Sequence, residues 1–344
     1  MSASDAAPIV VVGAGVAGLA CARSLAAAGR AVVVLERARG VGGRCATRRL
    51  EGQPLDSGPA FLHGRDPAFL AALDEVPATR LPGWPVHLEG AGQPCQPGAF
   101  AVGERRLAFA EGLNAFPRHL SAGLDVRLET EVSLLEAAPA GLLLRCVGGA
   151  VHRATDVVLA VAPEQAVALL AVMPAPPPSV DGARALLQLS RSQACLALLA
   201  LYPAEAPRPA WQVWLPDRST LLQMVSQDST KRPAGARLAL VLQGRTDWSR
   251  RHAEDPDWPA ALLAEAGRLL GPWAASPAHT YAHRWAYARN DGSAQLAAPV
   301  LLALPGGGRL GICGDRFGRG GGVEAAWSSG RALAGRLLAG EAGR

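Results

Sequence analysis

The thirty residues 8–37, PIVVVGAGVAGLACARSLAAAGRAVVVLER, constrain the fold more than any other stretch of the chain. Ile9–Val12 is a short, β-branched apolar run of the kind buried on both faces of a parallel sheet. Gly13, Gly15 and Gly18 then fill the pattern G-x-G-x-x-G. The first glycine makes a tight turn, the second lets backbone approach a pyrophosphate, and the third brings helix and strand together. The helix expected to start there points free N–H groups and the positive end of its dipole at bound phosphate, with Ala14, Val16 and Ala17 completing the turn. Alanines keep that helix close to the sheet, Gly29 is its expected C-cap, and 31–35 is a second strand. The strand ends in Glu36, about twenty residues on, where a carboxylate accepts hydrogen bonds from ribose hydroxyls. Arg37 follows it. An acid at this place disfavours a 2′-phosphate, so FAD or NAD is the expected occupant.

Downstream, residues 39–49 (RGVGGRCATRR) add a second glycine pair and an arginine. Together with the first fingerprint this resembles the FAD-binding signature of the flavoprotein superfamily that contains the amine oxidases and renalase. The resemblance implies Gly43 backbone against the pyrophosphate and charge-assisted hydrogen bonds from Arg44. Residues 56–63 (DSGPAFLH) are similar to the family segment that crosses in front of the isoalloxazine ring, with Gly58, Pro59 and Ala60 at the flavin. Renalase-like sequences carry Ala-Gln-Tyr-Phe after that glycine, where this chain has Pro59, Ala60, Phe61 and Leu62. A polar side chain and an aromatic hydroxyl are thereby lost, and His63 and Arg65 return polarity nearby. Thr130, Glu131 and Val132 resemble the strand whose valine backbone pairs with adenine.

At the far end of the chain, Cys313-Gly314-Asp315, the glycine run 318–322 and a helix from about Val323 resemble the superfamily's C-terminal flavin motif. This implies that Asp315 accepts a hydrogen bond from the ribityl chain, beside Gly314, Gly322 and Val323, while the helix dipole faces the pyrimidine end of the flavin. Residues 306–311 (GGGRLG) also satisfy the glycine pattern, but they lead into a strand and are expected to form a hairpin turn. Residues 283–288 (HRWAYA) resemble a motif of renalase-like proteins. Period-two alternation puts His283, Trp285 and Tyr287 on one strand face and Arg284 on the other. His63, Trp285 and Arg284 are the candidate lining of a substrate cavity, Tyr287 being expected to pack structurally.

The chain of 344 residues, 49% hydrophobic and 18% charged, has ordinary globular composition and length enough for two domains. Its formal charge of +5 rests on scattered arginines, Lys231 being the only lysine, so neither a nucleic-acid patch nor a polybasic tail is expected. The six cysteines have no C-x-x-C or metal-ligand spacing and read as buried thiols in a reducing compartment. No window offers about eighteen uninterrupted apolar residues, and the chain is expected to be soluble and cytoplasmic, with no metal.

The expected fold is mixed α/β: a Rossmann-like FAD-binding domain (1–66, 101–172 and 283–344) and a second, mainly antiparallel-sheet substrate domain (67–100 and 173–282). Helices are predicted at 68–73, 110–120, 163–170 and 258–270. Strands are predicted at 125–135, 141–147, 150–161, 194–202, 211–215, 220–226, 237–244 and 280–289, and the proline-rich run 173–179 is read as a linker.

The leading functional expectation is a renalase-like FAD-dependent oxidoreductase. It would take hydride from a small reduced substrate, with dihydronicotinamide isomers favoured and oxygen as electron acceptor, on non-covalent FAD. An amine oxidase of the same fold is the second reading. Many of those set a lysine against flavin N5 through a water, and here only Lys231 is available, in a stretch (226–233) that reads as a polar loop. A non-catalytic flavin-binding protein is the third, because of the altered 56–63 segment.

Overall fold

The computed structural model describes residues 7–139, 141–189, 191–291, 295–318 and 322–340. Two compact units emerge. The first comprises Met1–Gly43, Phe116–Ser192 and Asn290–Arg344, and the second Arg44–Ala115 and Gln193–Arg289. Residues 44–66, 101–115 and 283–289 therefore lie in the second unit and 173–192 in the first.

The first unit is built on a six-stranded sheet in the order Val300–Ala303, Arg309–Ile312, Asp156–Leu159, Ile9–Val12, Val32–Leu35, Asp125–Arg127. All neighbours are parallel except the first pair, an antiparallel hairpin. The second glycine pattern, 306–311, is thus the hairpin connection that the sequence predicts. The 9–12 strand sits mid-sheet and is buried along its whole length, which explains its unbroken run of β-branched residues. Helix Val16–Ala27 returns to the sheet and ends at Ala28. Gly29 (φ +79°) donates to Ala26 O and Arg30 to Leu25 O, the Schellman pattern expected of a glycine at that place. The long C-terminal helix Gly322–Ala339 packs on this helix so closely that a Cβ on Gly330 would lie 2.1 Å from Ala17 O. Arg309 fixes the end of the same helix, donating to Leu337 O while gripping Asp156 with Nε (2.9 Å) and Nη2 (2.7 Å).

Three predicted elements of this unit come out differently. The run 125–135 breaks into Asp125–Arg127 and Val132–Ala138, because Glu129 takes a left-handed conformation (φ +53°) that no strand accommodates. The run 150–161 divides at Thr155 between Val151–Ala154, in a separate three-stranded antiparallel sheet, and Asp156–Leu159 in the parallel one. The proline-rich linker stops short: Pro178 is the first residue of a helix, Pro178–Gln188, where a proline's missing N–H costs nothing. Val180, Ala183 and Leu187 bury that helix in the core of this unit.

The second unit holds a six-stranded sheet in the order His279–Asn290, Ser192–Leu201, Ala239–Gly244, Leu222–Gln227, Val213–Trp214, Leu88–Glu89. Its neighbours among 192–227 and 239–244 are antiparallel, and the last pair is parallel. Helix Trp258–Leu270 covers one face through Trp258, Leu262 and Ala266. The other face buries Leu199, Leu201, Ala239 and Val241 against Leu55.

Candidate active site

In the first unit the glycines divide their work as the chemistry of a phosphate turn requires. A Cβ on Gly13 (φ +106°) would meet Ala160 O at 2.7 Å, and one on Gly18 would meet Gly13 O at 2.1 Å, so these two serve the turn and the packing. Gly15 has nothing within 4 Å of its absent Cβ. It is the N-cap of helix 16–27, with no side-chain cap and no acid in the first turn. That leaves open space in front of helical N–H groups, the environment that suits a pyrophosphate. The second glycine pair closes on the first: Gly42 N donates to Ala14 O (2.8 Å), and a Cβ on Gly43 would be 3.4 Å from Gly15 Cα. Glu36 is buried at the end of its strand and accepts from Ala14 N and Ala38 N, both at 2.8 Å. Each carboxylate oxygen keeps a second lone pair, so ribose hydroxyls can still donate to it. Thr130 N donates to Glu36 O, which brings the strand starting at Val132 to the same sheet end, and Arg37 pairs with Glu131 at the surface (3.8 Å). Near the C-terminus Ser329 holds Gly314, accepting from its N–H (3.0 Å) and facing its carbonyl (2.8 Å). Asp315 is buried beside it, with Gly322 (φ +76°) and Val323 at the head of the long helix. Residues 319–321 of the glycine run lie outside the described residues. The donor set of this unit, two glycine turns, a helix N-terminus, a carboxylate for ribose and a buried aspartate, fits FAD.

In the second unit the 56–60 segment is clamped from several sides. A Cβ on Gly58 would lie 2.0 Å from Arg44 O, so only glycine allows residue 44 to run beside it. Trp285 Nε1 donates to Ser57 O (2.7 Å), and Gln243 Nε2 donates to Gly58 O (2.6 Å). The carboxylate of Asp56 accepts from Thr47 Oγ1 and Leu113 N, and it joins a buried cluster that the sequence reading missed. Lys231 Nζ lies 2.5 Å from Asp56 Oδ2 and 2.5 Å from Asp228 Oδ1, donates to Ala60 O (3.0 Å), and sits 5.0 Å from the centre of the Trp84 ring. Arg232 bridges the same two carboxylates and donates to Phe109 O and Ala110 O. The stretch read as a polar loop is therefore interior. Its charges cancel two against two, which is how such a run can be buried. Burial alone would raise the Asp56 carboxyl, but Lys231 and Arg232 beside it hold it below the usual carboxylate range. The i, i+3, i+4 spacing of Asp228, Lys231 and Arg232 was the available signal, because one helical turn puts all three on one side.

Of the candidate cavity residues, Trp285 is brought against the 56–58 segment, with His283 packed edge-on against it at 4.1 Å between ring centres. Burial, helped by Arg48, pushes the His283 imidazole down to about 4, so it is neutral near pH 7. Arg284 points from the opposite, exposed face to Glu254 and Ala253 O, away from Trp285. His63 Nδ1 turns to Glu104 (2.9 Å), which Arg65 also approaches (3.7 Å). Pro59 is half-buried and Ala60 buried.

Fold and donor set define a flavoprotein. Residues 99–338 match the model of the family described as flavin containing amine oxidoreductase, and residues 11–76 match that of an NAD(P)-binding Rossmann-like domain. The chain belongs to the flavin containing amine oxidoreductase family. A putative flavin-containing monoamine oxidase, AofH, of Mycobacterium tuberculosis (strain ATCC 25618 / H37Rv) is 44% identical over 82 residues, which is 24% of this chain and 17% of the relative. Putrescine oxidase of Kocuria rosea is 46% identical over 68 residues, 20% of this chain and 14% of its own length. The chain thus spans less than a fifth of the curated relatives it matches. Among solved structures, cyclohexylamine oxidase from Brevibacterium oxydans IH-35A superposes with a TM-score of 0.74 at 16% identity, over 98% of this chain and 100% of that one. Putrescine oxidase bound to putrescine gives 0.71 at 16% identity, over 97% and 99%. These likenesses establish the fold. No helix among the described residues is long and apolar enough to cross a membrane.

Proposed function

We propose that this protein is an amine oxidase-type flavoenzyme acting on small molecules, the first unit carrying the dinucleotide-binding turns and the second an aromatic wall. Bound FAD supplies the hydride acceptor of such a reaction and passes the electrons on, oxygen being the acceptor proposed here. In the first unit Gly13, Ala14, Gly15, Val16, Ala17, Gly18, Glu36, Arg37, Gly43, Val132, Gly314, Asp315, Gly322 and Val323 are the proposed cofactor contacts; in the second they are Arg44, Gly58, Pro59 and Ala60. The observation that carries the reading is the bond from Trp285 Nε1 to Ser57 O. It fixes an aromatic wall of Trp285 and His283 against the segment that the family resemblance assigns to the flavin face. The His283 imidazole, uncharged near pH 7, is too weak a base to deprotonate an ammonium, so the substrate is proposed to meet this wall as the free amine from which hydride departs. Family membership ranks amines ahead of the dihydronicotinamides that the renalase resemblance favours.

One observation keeps the dihydronicotinamide reading as a second. The only lysine is locked between Asp56 and Asp228 and cannot serve as a free base, and a dihydronicotinamide needs none, since hydride loss leaves an aromatic cation. Anaerobic stopped-flow mixing decides between them. Flavin bleaching by primary or secondary amines, with slow or no bleaching by dihydronicotinamide isomers, is the expected result. The reverse order moves the protein to renalase-type chemistry, and no rapid bleaching by either class makes it a flavin-binding protein without this activity.

A further inference from the structure

The parallel pairing of strand Arg309–Ile312 ends at Cys313, whose N–H donates to Leu159 O (3.1 Å). Beyond it the polar groups of Gly314 leave the sheet, and one side chain meets both. Ser329, inside helix Gly322–Ala339 and 3% exposed, accepts from Gly314 N (3.0 Å), and its Oγ lies 2.8 Å from Gly314 O. A serine inside a helix ordinarily donates to a carbonyl one turn back. Here that carbonyl, Ala326 O, is the farther acceptor at 3.1 Å, and one hydroxyl proton serves one acceptor best at the shorter distance. Gly314 C=O and Asp315 N–H belong to one planar peptide, so holding the carbonyl also sets the plane from which Asp315 continues. The chain past Asp315 is held as well: Asn290 Nδ2 lies 3.5 Å from Asp315 O, and Leu296 N donates to Arg316 O (2.9 Å). All of these groups lie in the first unit.

Two observations separate this arrangement from mere glue between helix and sheet. Gly330 and Leu333 already pack the helix closely against Ala17 and Gly311, so the Ser329 hydroxyl adds direction rather than area. Gly314 is required neither by its backbone, whose φ lies outside the left-handed region, nor by packing, since an added Cβ would meet nothing within 4 Å. Space in front of this peptide is thus open, as it is at Gly15, which is how a backbone is kept clear for the close approach of a ligand.

We propose that Ser329 is a positioning residue for the cofactor: by holding both polar groups of Gly314 it sets the Asp315 carboxylate for the ribityl chain of FAD. The inference rests on the reading of Asp315 as a cofactor contact and goes beyond it by naming the side chain that keeps the contact in place.

The test is a double-mutant cycle on the FAD dissociation constant of the full-length protein, with Ser329→Ala, Asp315→Asn and the two combined, and with urea melting of each flavin-stripped protein alongside. Ser329→Ala is expected to weaken FAD by about five-fold, the share of one hydrogen bond. Added to Asp315→Asn it is expected to cost less than about two-fold more, because it acts through that carboxylate. A hydroxyl that serves stability alone would lower the urea midpoint and leave the FAD constant of the folded protein unchanged, and that result overturns the proposal. So does an equal loss from Ser329→Ala in both Asp315 backgrounds. Where stripped Ser329→Ala does not fold, Ser329→Cys, of similar size with a weaker hydrogen-bonding group, takes its place in the cycle with the same outcomes. Failure of the underlying reading looks different. Asp315→Asn alone would then bind FAD as tightly as wild type, which removes the proposal together with the assignment, whereas equal losses in both backgrounds remove the proposal and leave Asp315 in place.

Discussion

Lys231 Nζ lies 2.5 Å from Asp56 Oδ2, and neither side chain is more than 1% exposed. With Asp228 and Arg232 they form a closed set of two cations and two anions, to which Thr47, Leu113 and Ala60 add hydrogen bonds. Asp56 is also the residue before Ser57, whose carbonyl receives Trp285. The cluster thus anchors the segment on which the proposed substrate wall rests.

Removing one member of a buried charge set strands the others in low dielectric, which costs about 3 to 5 kcal/mol. Lys231→Met is therefore expected to lower stability by about that amount, read from the urea midpoint at unchanged slope. A loss under about 1 kcal/mol would contradict the buried geometry. The folded carboxyl of Asp56 is held below its unfolded value, so its contribution is complete above about pH 4 and disappears only as the pH falls through the lower folded value. Wild-type protein should accordingly lose this component in acid below pH 4, and Asp56→Asn should lack that loss.

The glycines make opposite predictions. At Gly15 an added methyl meets nothing within 4 Å of the protein and the backbone (φ −75°) admits alanine, so Gly15→Ala should fold as well as wild type when stripped of flavin. It should nevertheless hold FAD at least ten-fold more weakly, because the methyl occupies the approach of the pyrophosphate. Gly18→Ala should lose about 1 to 3 kcal/mol of stability in the apoprotein, since its Cβ must displace backbone at 2.1 Å. Flavin titration and urea melting, done on both variants, check the two halves; a fully flavin-competent Gly15→Ala would remove the cofactor assignment.

The part of this site legible in the sequence is the part carried by local backbone. Gly13, Gly15 and Gly18 act within six residues of one another, and the strand, helix and terminal Glu36 around them follow in order. Period-two alternation was enough to separate Trp285 from Arg284. The buried cluster was not legible, because Lys231 reaches an aspartate 175 positions away and its own surroundings, QDSTKRP, have the composition of a solvated turn. The helix Pro178–Gln188 was hidden by the prolines before it, although proline at a first helical position is a start signal.

Glu36 and Asp315 should each contribute to FAD binding through a hydrogen bond to a charged acceptor. Glu36→Gln and Asp315→Asn keep shape and remove charge, and each is expected to weaken FAD by about 1.5 to 3 kcal/mol, roughly ten- to a hundred-fold in Kd. Ultrafiltration of the denatured wild-type protein should release all of its flavin, as non-covalent attachment requires. Yellow colour left on the polypeptide, or unchanged Kd in both variants, would be the contrary result.

The last expectation concerns His283. Its imidazole titrates at about 4 in the folded protein against an ordinary value of 6.5, because burial and Arg48 both disfavour the charged ring. The unfolded chain therefore binds a proton between these two values that the folded chain refuses, and stability must fall as the pH drops from 6.5 towards 4, levelling off below. Half-exposure to solvent discounts the effect to on the order of 2 kcal/mol. This window lies above that of Asp56, so the two components separate along one acid titration of the urea midpoint. His283→Gln keeps a neutral polar side chain in either state and should flatten the upper window while leaving the lower one in place. The same neutrality bears on the proposed reaction: amine turnover should not gain a basic limb from His283 near pH 6.5, and proton magnetic resonance of the ring C–H should show no titration there. A ring that titrates at its ordinary value would leave His283 cationic over part of the working range, and the uncharged wall proposed for the free amine would fall with it.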